Sequence, residues 1–102
     1  MRIHSGTYEI RKTHAFVQWL DGLADTRARA CVLARVKRLE DGNAGDVKPV
    51  GEGVSEMRID YGPGYRVYFI RQGRQIMVLL AGGDKRTQST DIRTALRLAR
   101  NL

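Results

Sequence analysis

The chain has 102 residues, 42% of them apolar, which suits the core of one domain rather than two. Its formal net charge of +7 favours a polyanionic partner, nucleic acid first and an acidic protein second, although a generally basic, solubilising surface would also explain it. With no apolar run near the roughly 20 residues of a membrane span, no N-terminal signal region and only one cysteine, we expect a soluble cytoplasmic protein without an internal disulfide.

The first half of the chain predicts one strand followed by two helices. Residues 1–6 show no periodic pattern and are expected to form a loose leader. Residues 8–12 alternate between apolar and charged side chains, which is typical of a strand. Thr13 and Asp25 are suited to cap helices, and each precedes apolar residues at helical spacing. Gly42 is expected to end the second helix.

The second half predicts a loop, three strands and a final helix. The loop is "VKPVGEGV", and the strands cover residues 55–60, 64–71 and 76–81. The last strand is apolar on both faces and should be central and covered. A final helix is expected to begin near Thr87. The predicted order is β-α-α-β-β-β-α, an α+β fold with a mostly antiparallel sheet and its helices on one face.

One face of the predicted sheet is the candidate functional surface. Because side chains alternate across a strand, Arg58, Arg66 and Tyr68 are predicted to share a face that the helices leave open. Three further cations before and after these strands are expected at the edge of that face: Lys48, Lys85 and Arg86.

Two interpretations of this face stay open. Arginine makes bidentate contacts with phosphate oxygens and tyrosine stacks on bases, so the face suits a bent phosphodiester. Alternatively, the two arginines pair with Glu56 and Asp60 as an ordinary solvated strand surface.

Three segments carry a family resemblance: "YEIRKT" near the start, "LADTRARACVLARVKRLEDGNAGDVKPVGEGVSEMRIDYGPGYRVYF" in the middle, and "LLAGGDKRTQSTDI" later. Together they resemble the RelE/ParE superfamily of bacterial toxins, and within it the HigB-like branch called addiction-module killer proteins. The resemblance extends from Tyr8 to Ala99. The Gly-Tyr-Arg strand start is shared widely in the superfamily, whereas "DVKPVGEGVSE" combined with "GGDK" is specific to this branch.

The resemblance implies a type II toxin in a single α+β domain spanning residues 1–102. RelE-like members cleave mRNA on the translating ribosome, whereas ParE-like members inhibit DNA gyrase and leave RNA uncut. A shared fold does not decide between these activities. The arginine cluster favours the metal-independent endoribonuclease. A gyrase inhibitor acting by protein contact is the alternative, and a non-catalytic nucleic-acid-binding module is the third possibility.

Matching the RelE pattern residue by residue implies catalytic roles for Arg66, Arg58 and Lys85, with Arg86 as the alternative to Lys85. The arginines would stabilise charge on the phosphate while the 2′-hydroxyl attacks it. Lys85 or Lys48 would assist proton transfer. Binding of RNA or phosphate would involve Lys48, Tyr65, Tyr68 and Arg86.

This sequence departs from the RelE pattern at two positions. Glu56 replaces a lysine, and Ile92 falls about where RelE has a tyrosine. The phosphate-binding positions survive these changes. No cofactor or metal is expected, because two isolated histidines and one cysteine show no metal-ligand spacing.

The resemblance implies two macromolecular partners and no membrane. One is mRNA on the ribosome, the expected substrate. The other is a cognate antitoxin, expected to be a small, partly acidic, DNA-binding protein encoded by the adjacent gene.

Overall fold

A computed structural model describes residues 7–102, so the leader expected at residues 1–6 lies outside the described part. The elements, in chain order, are β1 (Glu9–Lys12), α1 (His14–Asp21), α2 (Thr26–Glu40), β2 (Val47–Gly51), β3 (Val54–Ile59), β4 (Tyr65–Gln72), β5 (Ile76–Gly83) and α3 (Gln88–Arg100). A 3₁₀ turn over Lys85–Thr87 connects β5 to α3.

Five strands form one mixed sheet in the order β1-β5-β4-β3-β2. β1 pairs with β5 in parallel, and every other neighbouring pair is antiparallel. The predicted α+β class and mostly antiparallel sheet are therefore confirmed. β5 lies inside the sheet and is almost entirely buried, as its apolar composition predicted.

The strand β2 lies where the sequence predicts a loop, so the predicted element order is one strand short. Pro49 and Gly51 argue against a strand because proline cannot donate to a ladder and glycine has no side chain to pack. β2 is an edge strand, however, and an edge tolerates proline. Its pairing with β3 is irregular between Pro49 and Gly51, which accommodates both residues.

Helices cover both faces of the sheet, so the prediction of helices on one face is wrong. On one face, Phe16 of α1 and Val32 of α2 pack against strand residues that include Leu79. On the other face, Ala95 of α3 packs in a second cluster with Leu80. Neighbouring residues of β5 thus contribute to opposite clusters, because side chains alternate across a strand. The face predicted to be open lies beneath α3.

The helix boundaries follow from their caps, as predicted for α1 and α2. The Thr13 hydroxyl accepts a hydrogen bond from the Phe16 amide at 3.1 Å. The Asp25 carboxylate accepts hydrogen bonds from the amides of Arg27, at 2.9 Å, and Ala28, at 3.2 Å. Each cap satisfies backbone donors that have no partner within the helix. Within residues 7–102, no helix has the length and apolarity to cross a membrane.

Candidate anion-binding cleft

A cleft of about 520 Å³ opens at the end of the sheet where β3 ends and β4 begins. Its volume falls in the range of small-ligand sites, about 300–1,000 Å³. The lining contains three cations and two carboxylates on neighbouring elements: Arg58, Arg66, Lys85, Asp46 and Asp60. The local charge is therefore positive, and the cleft suits an anionic group.

Arg58 on β3 and Arg66 on β4 lie directly opposite each other in the antiparallel register. Like charges at such positions repel. Each arginine is compensated by a different carboxylate: Nη2 of Arg58 lies 3.2 Å from Oδ1 of Asp46, and Nε of Arg66 lies 3.6 Å from Oε2 of Glu56. Two cations can therefore stand side by side at one end of the cleft.

Arg66 is far more buried than its predicted place on an open face implies. The residue is only 8% exposed, because the sheet face that carries it lies under α3. Nη1 donates a hydrogen bond to the carbonyl of Gly64 at 3.4 Å. Nη2 has no hydrogen-bond partner within residues 7–102. The guanidinium thus faces the cleft through the edge that carries Nη2, and the rest of the side chain is enclosed by the protein.

Beneath Arg66, a buried polar network surrounds Glu56, whose side chain is fully enclosed. Oε2 of Glu56 accepts hydrogen bonds from the Tyr68 hydroxyl at 3.0 Å and from Nε2 of Gln88 at 2.7 Å. Burial, followed by the charge of Glu56, raises the pKa of Tyr68 well above its usual range. Tyr68 is fully buried and cannot stack on a base, contrary to the prediction.

The 3₁₀ turn after β5 separates the roles of Lys85 and Arg86. Asp84 caps this turn by accepting from the Arg86 amide at 2.8 Å, and it also accepts from Nη2 of Arg86 at 2.8 Å. The hydrogen bonds from Arg86 lower the pKa of Asp84. Arg86 is thereby held against Asp84, and Lys85 lines the cleft beside Gly64.

Tyr65 and Lys48 also lie outside the cleft lining. Tyr65 is on the other face of the sheet from Arg66. There its ring stacks on that of Tyr61, with ring centroids 6.4 Å apart, and lies tilted against that of Trp19, with centroids 6.3 Å apart. Lys48 is exposed on β2, opposite Glu56. Of the seven predicted site residues, the structure brings three into the cleft: Arg58, Arg66 and Lys85.

Arg35 on α2 supports the cleft from below and was not predicted as part of the site. Its Nη1 donates to the carbonyl of Arg58 at 2.6 Å, and its Nη2 donates to the carbonyl of Ala44 at 3.0 Å. Burial lowers the pKa of Arg35. Arg35 therefore links α2 to β3 and to the loop that carries Asp46. Of the other arginines of α2, Arg27 and Arg38 are exposed and Arg29 is half-buried, and no spacing in the sequence distinguishes Arg35 from them.

The turn residues Gly62, Pro63 and Gly64 form one wall of the cleft. The Gly64 amide donates to the Tyr61 carbonyl at 3.1 Å. Gly62, with φ of 57°, and Gly64, with φ of 82°, adopt the left-handed conformation that favours glycine. The "GPG" of the sequence is thus required by backbone conformation and sets the distance between the ends of β3 and β4.

The lining combines cations that suit an anion with groups that can exchange protons. Arginine pairs bind phosphate oxygens well. Asp60 forms no ion pair within residues 7–102, so its carboxylate is available to accept a proton, and the Lys85 ammonium can donate one. Those residues contain no group of three or more histidine, cysteine or acidic side chains arranged to hold a metal ion.

Comparison with known proteins places this chain in a family. Residues 18–102 match the family model described as phage derived protein Gp49-like (DUF891). The chain is 49% identical over 96 residues to an uncharacterized protein of Haemophilus influenzae, a match that covers 94% of this chain and 97% of the relative. No solved structure matches the chain significantly. The chain therefore belongs to the phage-derived Gp49-like family, a toxin-like family of the addiction-module kind.

Proposed function

We propose that this protein is the toxin of a type II toxin–antitoxin system and that it inhibits translation by cleaving mRNA on the ribosome. Membership in a toxin-like family supports the general role. The observation that carries the enzymatic part is the placement of Arg58, Arg66 and Lys85 around one cleft. A surface that acted only by protein contact would not require three cations to converge on one small concave site.

In this mechanism the scissile phosphate binds between Arg58 and Arg66. During attack by the 2′-hydroxyl, negative charge accumulates on the phosphorane oxygens. Cations that are already in place stabilise this charge, and they do so more strongly where water is excluded. Arg66 meets that condition because its side chain is only 9% exposed.

Proton transfer completes the reaction. Asp60 accepts the proton of the 2′-hydroxyl as the bond from O2′ to phosphorus forms. Lys85 donates a proton to the 5′-oxygen as the bond from phosphorus to O5′ breaks. The products are a 2′,3′-cyclic phosphate and a 5′-hydroxyl, and no electrons are exchanged with a cofactor.

The composition of the cleft fits a requirement for the ribosome. No aromatic side chain of the described residues lines it, and Tyr68 is buried, so the cleft itself offers no stacking platform. Binding then depends on the phosphate backbone, which is flexible in free RNA. The ribosome would hold the mRNA in a bent conformation and remove that entropic penalty.

The proposed antitoxin is an acidic protein that covers this cleft. A net charge of +7 favours such a partner. Bound carboxylates would occupy the edges of Arg58 and Arg66 that phosphate uses.

The test is primer extension on a defined mRNA in a purified translation system, with and without ribosomes. The variants are Arg58→Ala and Lys85→Ala, and the control is Arg93→Ala, an exposed arginine of α3 outside the cleft lining. We expect ribosome-dependent cuts with the wild type and the control, and a rate at least about 100-fold lower with either cleft variant.

Two results would overturn the proposal. If the wild type arrests growth without cutting RNA and causes DNA damage, a gyrase inhibitor of the ParE kind becomes the better explanation. If both cleft variants cleave at the wild-type rate, the cleft is not the active site.

A further inference from the structure

We propose that Glu56 is a positioning residue that sets the orientation of Arg66 and limits how tightly the resting cleft holds a phosphate. This inference rests on the proposed function, because it concerns the same cleft. Glu56 does not line the cleft and acts through Arg66. The resemblance to RelE had marked this glutamate only as a departure from a lysine.

The first step is the way Glu56 is held. It has no exposed surface, and two donors converge on its Oε2, the Tyr68 hydroxyl from β4 and Nε2 of Gln88 from α3. Nε of Arg66, also on β4, lies 3.6 Å from the same oxygen as an ion pair. Convergent donors suit a carboxylate oxygen. Since Tyr68 belongs to β4 and Gln88 to α3, the position of Glu56 is determined from two sides.

The second step is the effect on Arg66. Glu56 faces Nε, and the carbonyl of Gly64 accepts from Nη1. The guanidinium is therefore held by an ion pair at Nε, which makes no hydrogen bond, and by one hydrogen bond at Nη1. Nη2 remains for a ligand in the cleft. A planar guanidinium fixed in this way loses little freedom when it binds phosphate.

The third step is electrostatic. The negative charge of Glu56 lies close to Arg66 and offsets part of its attraction for an anion. Removing that charge should strengthen ground-state binding while it leaves the guanidinium free to rotate. Binding and catalysis should therefore change in opposite directions, which a simple loss of stability would not produce.

The test compares Glu56→Gln with Glu52→Gln, a control at an exposed glutamate outside the cleft lining that pairs with Arg100. The binding probe is a six-residue oligothymidylate, which has no 2′-hydroxyl and is not cleaved by this mechanism. We expect Glu56→Gln to bind the probe about three- to tenfold more tightly and to cleave ribosome-bound mRNA at least about tenfold more slowly. The control should change neither quantity.

A second variant covers the case in which Glu56→Gln does not fold. Gln88→Leu removes one donor to Glu56 and keeps the charge. We expect unchanged probe affinity and slower cleavage. If either variant folds and cleaves at the wild-type rate, or if Glu56→Gln loses affinity and rate together, the positioning role is wrong.

NMR provides a readout that does not depend on RNA cleavage. The Nε–H of Arg66 is buried 3.6 Å from Oε2 of Glu56 and makes no hydrogen bond, so burial should slow its exchange with water in the wild type. In Glu56→Gln, where the guanidinium is expected to rotate, the exchange should be faster. If the wild type cuts no RNA, the proposed function fails, and the probe affinity and this exchange rate still decide the positioning role. Equal exchange rates in the two proteins would overturn it.

Discussion

Arg58 and Arg66 lie directly opposite each other on β3 and β4, yet their surroundings differ sharply. The side chain of Arg58 is 39% exposed and pairs with Asp46, which is itself mostly exposed. The side chain of Arg66 is 9% exposed and pairs with Glu56, which is enclosed. Two arginines at equivalent places in the ladder should therefore affect stability very differently.

We expect Arg66→Ala to lower the free energy of unfolding by about 3–5 kcal/mol, because it leaves the buried charge of Glu56 without a cation. Arg58→Ala removes an exposed pair and should lower it by less than about 1 kcal/mol. Urea denaturation of both variants measures these differences. Similar losses for the two would contradict the assigned burial. Loss of activity in Arg66→Ala is therefore ambiguous, and Arg66→Lys is the better probe of the site.

Lys85→Ala and Arg86→Ala should differ in their rates of RNA cleavage although the two residues are neighbours. Lys85 lines the cleft, whereas Arg86 is held by Asp84. We expect Lys85→Ala to reduce the cleavage rate by about 100-fold or more, in the range attributed to general acid catalysis. Arg86→Ala should retain nearly the wild-type rate. The opposite ranking would show that the turn rearranges on the ribosome.

Leu79→Ala and Leu80→Ala should both destabilise the protein strongly. The two side chains point to opposite faces of β5, and both are fully buried. Each truncation leaves a cavity and should lower the free energy of unfolding by about 2–5 kcal/mol in denaturant titrations. A small effect at Leu80 alone would mean that α3 does not cover its face of the sheet.

Gly82→Ala should disrupt the packing of α1 on the sheet. A Cβ at Gly82 would lie 2.1 Å from Cε3 of Trp19, far inside contact distance. We expect overpacking to lower the free energy of unfolding by about 1–3 kcal/mol. The change should be visible in thermal unfolding and as a shift of Trp19 fluorescence. The control is Gly22→Ala, whose Cβ would lie 3.2 Å from the Gln18 carbonyl and should cost much less. Equal effects would contradict the Trp19 contact.

The cap of α2 should give a pH-dependent contribution to stability. A backbone hydrogen bond from Ala28, with further contributions that include the Tyr61 hydroxyl, lowers the pKa of Asp25 below its ordinary value of 3.8. Since the folded-state pKa is the lower one, this stabilisation is present above the unfolded-state value and is lost as the pH falls through the folded-state value.

The melting temperatures of Asp25→Ala and the wild type should therefore differ clearly at pH 7 and approach each other as the pH falls below 3.8. Asp21→Ala is the matched control, because the Asp21 carboxylate makes no hydrogen bond within residues 7–102. A difference for Asp25→Ala that persists unchanged at the lowest pH would rule out the charged cap as its source.

Local patterns in the sequence were sufficient for most of the fold. Apolar periodicity and the caps at Thr13 and Asp25 predicted α1 and α2. Alternation, turn signals and the continuous apolar run of residues 76–81 predicted four of the five strands. β2 was missed because Pro49 is read as a break, and only its edge position makes it acceptable. The assignment of all helices to one face was wrong, although the two-sided apolar pattern of β5 already required cover on both faces.

The candidate site, like the fold, has features that the sequence predicted and others that it did not. The sequence by itself determined that Arg58 and Arg66 would be neighbours, because a period of two and a short turn between adjacent strands set both their face and their register. The strand pattern also offered Glu56 as one possible partner of the arginines, and the tertiary structure assigned it to Arg66. Only the tertiary structure decided that α3 buries Tyr68 and that Lys85 rather than Arg86 lines the cleft. These outcomes depend on how α3 and its preceding turn pack against strands some 20 to 30 residues earlier, and such long-range contacts leave no local pattern in the chain.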